Sequence, residues 1–341
     1  MRHVPLSVGD IFDRTFRTFV RIIGRALPMA LIMIVPPGLL LAAALDMFYT
    51  SLGAILPSIL FAVEPDSELL GTLFWSVLLL SLSALALLAA MVSVRVGVTA
   101  LSCAELSGST MSWQQALARA TGSRFTRALI QVTLEFSAYA LLLTGGYTII
   151  TFGAALQTSI LVLVGFIALL GGGILAVWWA VQWSQTYAVI TCEDVGAVGA
   201  FRRSALLVQG SWWRVLGLLL LFGFLKEFVA GLITTPLSLL AFWDFYQSYF
   251  ALMASPETAA AGPEVFGQMF ASLGLGTGLV ATVALLLSSL IVPVYLSVLY
   301  FDLRARSGEF LQRPRAAKAS HSPDTTATLI VDRDPFGEQP I

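Results

Sequence analysis

Six long apolar runs decide what this chain can fold into. They cover residues 24–45, 70–94, 128–152, 156–183, 215–239 and 275–299. Each reaches the roughly 20 residues that a helix needs to cross about 30 Å of hydrocarbon. Lipid offers an unpaired peptide group no partner, so each run is expected to be helical. Composition agrees: of 341 residues 57% are hydrophobic and 11% charged, with a net charge of −1. A soluble domain carries about 25% charged residues. Too few charges remain to cover a water-soluble sphere or to build a basic face for nucleic acid, which excludes a soluble enzyme, a nucleic-acid binder and a disordered chain. The expected fold class is all-α, a polytopic membrane protein with six transmembrane helices. The shorter run 52–63, bounded by Pro57 and Glu64, is expected as an interfacial or loop segment.

Charge gives the runs a direction. Eighteen of the 19 basic residues lie in four groups: before the first run, between the second and third, between the fourth and fifth, and after the sixth. The intervening loops carry Asp46, Glu64, Asp66, Glu68, Asp244, Glu257 and Glu264 and no basic residue. This asymmetry predicts both termini in the cytoplasm of a bacterial cytoplasmic membrane. Ala42-Ala43-Ala44 resembles a signal cleavage site, but Pro28, Pro36 and Pro37 and the patterned leader before the run favour an uncleaved helix. Cys103 and Cys192 fall beside the basic segments and are expected as two reduced residues. Trp178, Trp179, Trp183, Trp212 and Trp213 are expected to form an aromatic belt.

The segment before the first run is amphipathic. At 100° per residue Phe12, Phe16, Phe19 and Ile23 share one face and Arg14, Arg17, Arg21 and Arg25 the other, so residues 6–23 are expected to lie in the interface against anionic headgroups. The pattern recurs. Ser7 to Arg14, Ser112 to Arg119 and Gly196 to Arg203 share one spacing, and each is followed at the head of a run by Arg25-Ala26-Leu27, Arg127-Ala128-Leu129 or Arg214-Val215-Leu216. They predict a three-fold repeat of an interfacial helix and a helical hairpin, although any inward-facing helix end attracts basic flanks. Ser112 with Gln115 reads as a capping box. Arg119, Arg127, Arg203 and Arg214 join the first four arginines as candidate headgroup contacts.

Three segments carry a family resemblance. Leu6-Ser-Val-Gly-Asp-Ile-Phe-Asp-Arg14, Gly210-Ser-Trp-Trp-Arg-Val-Leu-Gly217 and Tyr300-Phe-Asp-Leu-Arg-Ala-Arg306 resemble the membrane domain attached to some bacterial glycerophosphoryl diester phosphodiesterases. That domain also occurs alone as a six-helix protein. The resemblance spans residues 5–310 and implies the membrane part without the catalytic part. The family's phosphodiesterase uses a separate soluble barrel with catalytic histidines and metal-binding carboxylates, whereas this chain's histidines are His3 and His321, near the two ends.

Glu135, Lys226 and Glu227 are the ionisable residues inside the runs, where a charge costs about 2.5–3.5 kcal/mol on insertion scales. They mark either a proton-, ion- or substrate-responsive site or a pair that fixes helix register. A Glu135–Lys226 pair would neutralise two of the charges. Glu227, about 100° around the helix from Lys226, would then be protonated or face a polar cavity. Gly171-Gly172-Gly173 and Gly274-x-x-x-Gly278 permit close helix approach, and Pro36-Pro37 and Pro293 are expected to kink their helices. No catalytic motif, metal cluster or cofactor motif is found. Residues 1–304 are expected as the membrane domain and 305–341 as a disordered tail that offers a partner-binding tether. The expected role is a non-enzymatic membrane module that anchors, assists or regulates a partner or a lipid-related process. The alternative is a transporter or lipid-handling protein that uses Glu135, Lys226 and Glu227.

Overall fold

The structure, a computed structural model, describes residues 5–60, 67–254 and 263–309. Among them are eleven helices and no strand. In chain order these are α1 Val8–Leu60, α2 Ser67–Ser107, α3 Trp113–Thr121, α4 Ser123–Ala155, α5 Ser159–Trp183, α6 Thr186–Cys192, α7 Ala197–Val208, α8 Trp212–Ala241, α9 Trp243–Ala254, α10 Pro263–Ala271 and α11 Gly274–Arg306. Six segments are long and apolar enough to cross a membrane, as the sequence predicts. The most buried of their apolar windows has only 33% of its residues inside the protein. Leu141, Ile160, Ile174 and Phe224 are each more than 70% exposed. Apolar surface on this scale needs hydrocarbon around it, and the chain is a multi-pass integral membrane protein.

Two differences from expectation fall on α1. Its helix runs unbroken from Val8, so the amphipathic stretch and the first run are one element. It also continues through the run at 52–63 as far as Leu60, and residues 61–66 lie outside the described residues. The prolines do not end it, since helix persists through Pro28, Pro36, Pro37 and Pro57. In α11 it likewise passes Pro293, whose carbonyl accepts the Ser297 hydroxyl at 2.7 Å. This bond to the carbonyl four residues back gives the buried Ser297 hydroxyl a partner within its own helix. The tail from residue 310 onward, with its predicted tether, lies outside the described residues.

The chain divides into two compact units. The first comprises Met1–Ile23, Val96–Leu221 and Val292–Ile341. Its helix starts follow the aligned spacing. Ser7 precedes α1 and its hydroxyl accepts the Asp10 N–H, while the Asp10 carboxylate accepts the Ser7 N–H at 3.1 Å. Ser112 caps α3 in a full capping box with Gln115, and Gly196 is the N-cap of α7. The three aligned residues therefore stand at equivalent places, immediately before a helix. The hairpin of α4 and α5 turns on Gln157 at φ 52° and closes on small residues. A Cβ on Gly146 would meet the Leu169 nitrogen at 2.8 Å, and one on Gly172 the Leu142 oxygen at 3.2 Å. Of the predicted glycine triplet only Gly172 makes such an approach, because Gly171 and Gly173 face open space.

The buried face of α1 in this unit is Ile11, Thr15, Thr18 and Ile22, spaced as one helix stripe. The phenylalanine face expected to anchor the segment is partly open, with Phe16 67% exposed. Thr15 can be buried because its hydroxyl donates to the Ile11 carbonyl at 2.7 Å.

The second unit comprises Gly24–Arg95 and Phe222–Ile291. Here α1 meets α11 and α10 in antiparallel register. Gly38 abuts Thr282, Ala42 abuts Gly278, Asp46 abuts Gly274, and Gly53 abuts Gly267. Each step up one helix equals a step down the other, and every pair includes a glycine. Without apolar solvent exclusion to drive association in lipid, close backbone contact supplies the attraction.

Candidate functional site

Arginine and carboxylate residues of the first unit pair across each hairpin. Arg21, in the amphipathic start of α1, lies 3.5 Å from Glu105 near the end of α2. Arg127 at the head of α4 lies 2.5 Å from Asp194 just after α6 and also donates to its carbonyl at 3.0 Å. Arg214 at the head of α8 lies 3.4 Å from Asp302 near the end of α11. In each case an arginine of an earlier helix meets an acid at or just after the end of a later one.

The third clasp is the most elaborate. Asp302, with a fully buried side chain, accepts the Leu6 N–H at 2.7 Å and Arg306 Nε at 2.9 Å. The Leu6 carbonyl accepts from Arg214 at 2.9 Å and Arg306 at 2.7 Å. The N–H and C=O of Leu6, ahead of α1, are thus both held by residues about 210 and 300 positions later. Three segments distant in the chain, around Leu6, Arg214 and Asp302, meet here.

A second cluster lies in the same unit. Arg203 forms a two-pronged pair with Glu193, at 2.9 and 3.1 Å, and reaches Glu309 at 2.6 Å. The Tyr300 hydroxyl donates to Glu193 at 2.6 Å. Arg304 donates to Glu309 at 2.8 Å and stacks 5.5 Å from the centre of the Tyr300 ring. Burial acts to raise the Glu309 carboxyl, but the hydrogen bonds from Arg203 and Arg304 outweigh it and hold the carboxyl below its ordinary value. Glu193 raises the Arg203 guanidinium against its own burial.

Each predicted site residue now has a place. Among the headgroup candidates, Arg127, Arg203 and Arg214 face protein carboxylates, Arg21 pairs with Glu105, and Arg17 pairs with Asp13 on the helix surface. Arg14 is half-buried on α1, and Arg25 and Arg119 hold positions on α1 and α3. At membrane depth, Glu135 accepts from Gln131 at 2.5 Å and from the Tyr139 hydroxyl at 3.1 Å, one helical turn to each side. Lys226 donates to Glu227 at 2.5 Å and to the Ser288 hydroxyl at 3.4 Å. The expected 100° separation of Lys226 and Glu227 does not keep them apart, because the flexible lysine stem carries its ammonium sideways. Glu227 remains largely exposed. Glu135 belongs to the first unit and Lys226 to the second.

The expectation of two reduced cysteines is corrected. Cys103 near the end of α2 and Cys192 at the end of α6 are joined in a disulfide, with Cα atoms 6.8 Å apart. Spacing in the sequence could not show that the return strands of the first two hairpins converge.

A cleft of about 390 Å³ lies between α5, α7 and the head of α8. Trp178 and Gln182 line it from α5, Arg202 and Leu206 from α7, and Trp212 from α8. Gly210, at φ 83° where other residues would be strained, also lines it. The Ser204 hydroxyl fixes α7 to α5 by donating to the Gln182 carbonyl at 2.6 Å. Among the described residues no group of three or more His, Cys, Asp or Glu is placed to hold a metal ion.

Fold and site together define a six-span, all-α integral membrane protein whose hairpins are clasped by arginine–carboxylate pairs. Compared with known proteins, the chain matches no family model, no curated protein and no solved structure.

Proposed function

We propose that the chain is a non-enzymatic membrane module of a bacterial cytoplasmic membrane, with both termini in the cytoplasm, that anchors, assists or regulates a partner or a lipid-related process. The observation that carries this reading is the use made of the polar residues. The segments resembling the phosphodiesterase membrane domain converge on a structural clasp at Leu6, Arg214 and Asp302. The charges at depth have partners within their own units: Gln131 and Tyr139 for Glu135, Glu227 and Ser288 for Lys226. These contacts engage Glu135 and Lys226 with the protein's own groups, and the Lys226 bond to Ser288 joins α8 to α11, whereas a transport path has to leave charged groups open to a cargo.

Complementation tests it. In cells lacking the gene, the E135Q/K226M double variant is expected to restore growth and membrane composition as fully as the wild-type chain. Failure to complement at a normal membrane level would transfer the proposal to the transporter reading, with Glu135, Lys226 and Glu227 as its path.

A further inference from the structure

Arg202 stands apart from the other arginines of its segment. Its neighbour Arg203 is enclosed by Glu193 and Glu309, yet Arg202 is exposed and has no hydrogen bond or ion pair among the described residues. It lines the cleft between α5, α7 and α8, and no carboxylate shares that lining. The indole N–H of Trp212, which lines the cleft from α8, is buried without an acceptor among the described residues. An orphaned buried donor costs about 1–3 kcal/mol unless something satisfies it. The remaining lining pairs apolar surface, Trp178, Leu206 and Val208, with the amide side chains of Gln182 and Gln209.

We infer that this cleft binds one anionic phospholipid, its headgroup phosphate on Arg202. The unopposed guanidinium matches a phosphodiester anion in charge and geometry. The Trp212 N–H supplies a donor to an ester or phosphate oxygen, and Trp178 and Leu206 give the first acyl methylenes an apolar wall. Tryptophan on two sides suits the headgroup level, where apolar and polar layers meet. The volume falls in the range of small-molecule sites, about 300–1,000 Å³. The inference deepens the proposed membrane role by naming a lipid class, and it rests on the chain being surrounded by lipid.

Native mass spectrometry of the full chain, released from detergent after exchange into phosphatidylglycerol or phosphatidylcholine, tests it. The wild-type chain is expected to retain one phosphatidylglycerol with about tenfold preference over phosphatidylcholine. R202Q and W212F should each lose most of that preference, and R124Q, outside the cleft lining, should keep it. Arg202 is exposed, so R202Q is expected to unfold at the wild-type temperature, which separates lost binding from lost fold. Equal retention of the two lipids, or unchanged preference in both R202Q and W212F, overturns the site. Displacement of the bound lipid by millimolar inorganic phosphate assigns the cleft to a free anion and also overturns it. Complementation by E135Q/K226M is unaffected by any of these results, so the two proposals fail separately.

Discussion

Arg127 closes on Asp194 at the base of the second hairpin, 2.5 Å apart, in the place where Arg21 meets Glu105 in the first and Arg214 meets Asp302 in the third. The three pairs differ chiefly in solvent exposure. The acid's side chain is 58% exposed at Asp194, 19% at Glu105 and fully buried at Asp302.

That gradient predicts a ranking. An exposed pair contributes about 0–1 kcal/mol, whereas removing one partner of a buried pair costs about 3–5 kcal/mol. Asp194→Asn should therefore shift the thermal unfolding midpoint little, Glu105→Gln moderately and Asp302→Asn most. Asp302→Asn should also loosen the segment ahead of α1, because a neutral carboxamide no longer balances Arg214 and Arg306, which hold the Leu6 carbonyl, and proteolysis near Leu6 should accelerate. A large loss from Asp194→Asn with none from Asp302→Asn would refute the ranking.

Glycines offer a second contrast within one helix class. A Cβ at Gly278 would overlap the Ala42 backbone, so Gly278→Val should destabilise by about 1–3 kcal/mol through overpacking. Gly223 has open space where its Cβ would lie. Gly223→Ala should be neutral or stabilising by about 0.5–1 kcal/mol, since alanine loses less conformational entropy in a helix. Denaturation in mild detergent measures both. Equal effects at the two positions would mean that α1 and α11 do not approach at Gly278.

What could be read from the sequence followed from the solvent. Hydrocarbon demands long uninterrupted runs, so the six spans show as plain stretches of apolar letters. The Ser112–Gln115 capping box was equally legible, because both partners sit within one turn. The clasps were not. Their partners lie 67 residues apart for Arg127 and Asp194 and 88 for Arg214 and Asp302, and counting basic residues by side passes over Glu105, Glu193, Asp194 and Asp302 at the same helix ends. The buried stripe of α1 escaped for another reason: Thr15 and Thr18 read as polar although one satisfies its own hydroxyl within the helix. Arg203 resembles Arg202 in any one-dimensional pattern, and only the fold gives one of them two carboxylates.

Acid should loosen the Arg203–Glu193–Glu309 cluster. The Glu309 carboxyl is held below its ordinary value of 4.5 by Arg203 and Arg304. A carboxyl whose folded value is depressed stabilises the fold fully above the unfolded value and loses that contribution as pH falls through the folded one. The unfolding midpoint of wild-type protein should therefore exceed that of Glu309→Gln at pH 7. The difference should shrink below about pH 4.5 and vanish at lower pH. A gap that stays constant from pH 7 down to pH 3 would show that protonation of Glu309 does not govern the cluster.

Cys103 and Cys192 join the return strands of the first two hairpins, 89 residues apart in the chain. The pairing depends on geometry and its chemical state on the compartment: a reducing cytosol keeps such a pair as thiols, and air oxidation closes it. Purified without reductant and labelled with maleimide after denaturation, the protein should carry no label, and after reduction it should carry two. Cys103→Ser should carry one in both conditions. Closing a loop of this length stabilises by about 2–4 kcal/mol, so reductant should lower the unfolding midpoint of the wild-type chain and leave Cys103→Ser unmoved. Maleimide applied to intact cells before lysis then reads the resting state: two labels place the pair on the reducing side, where the arginine asymmetry predicts it, and none places it on the oxidising side. Two labels that persist in purified protein after mild oxidation would contradict the convergence of α2 and α6 itself.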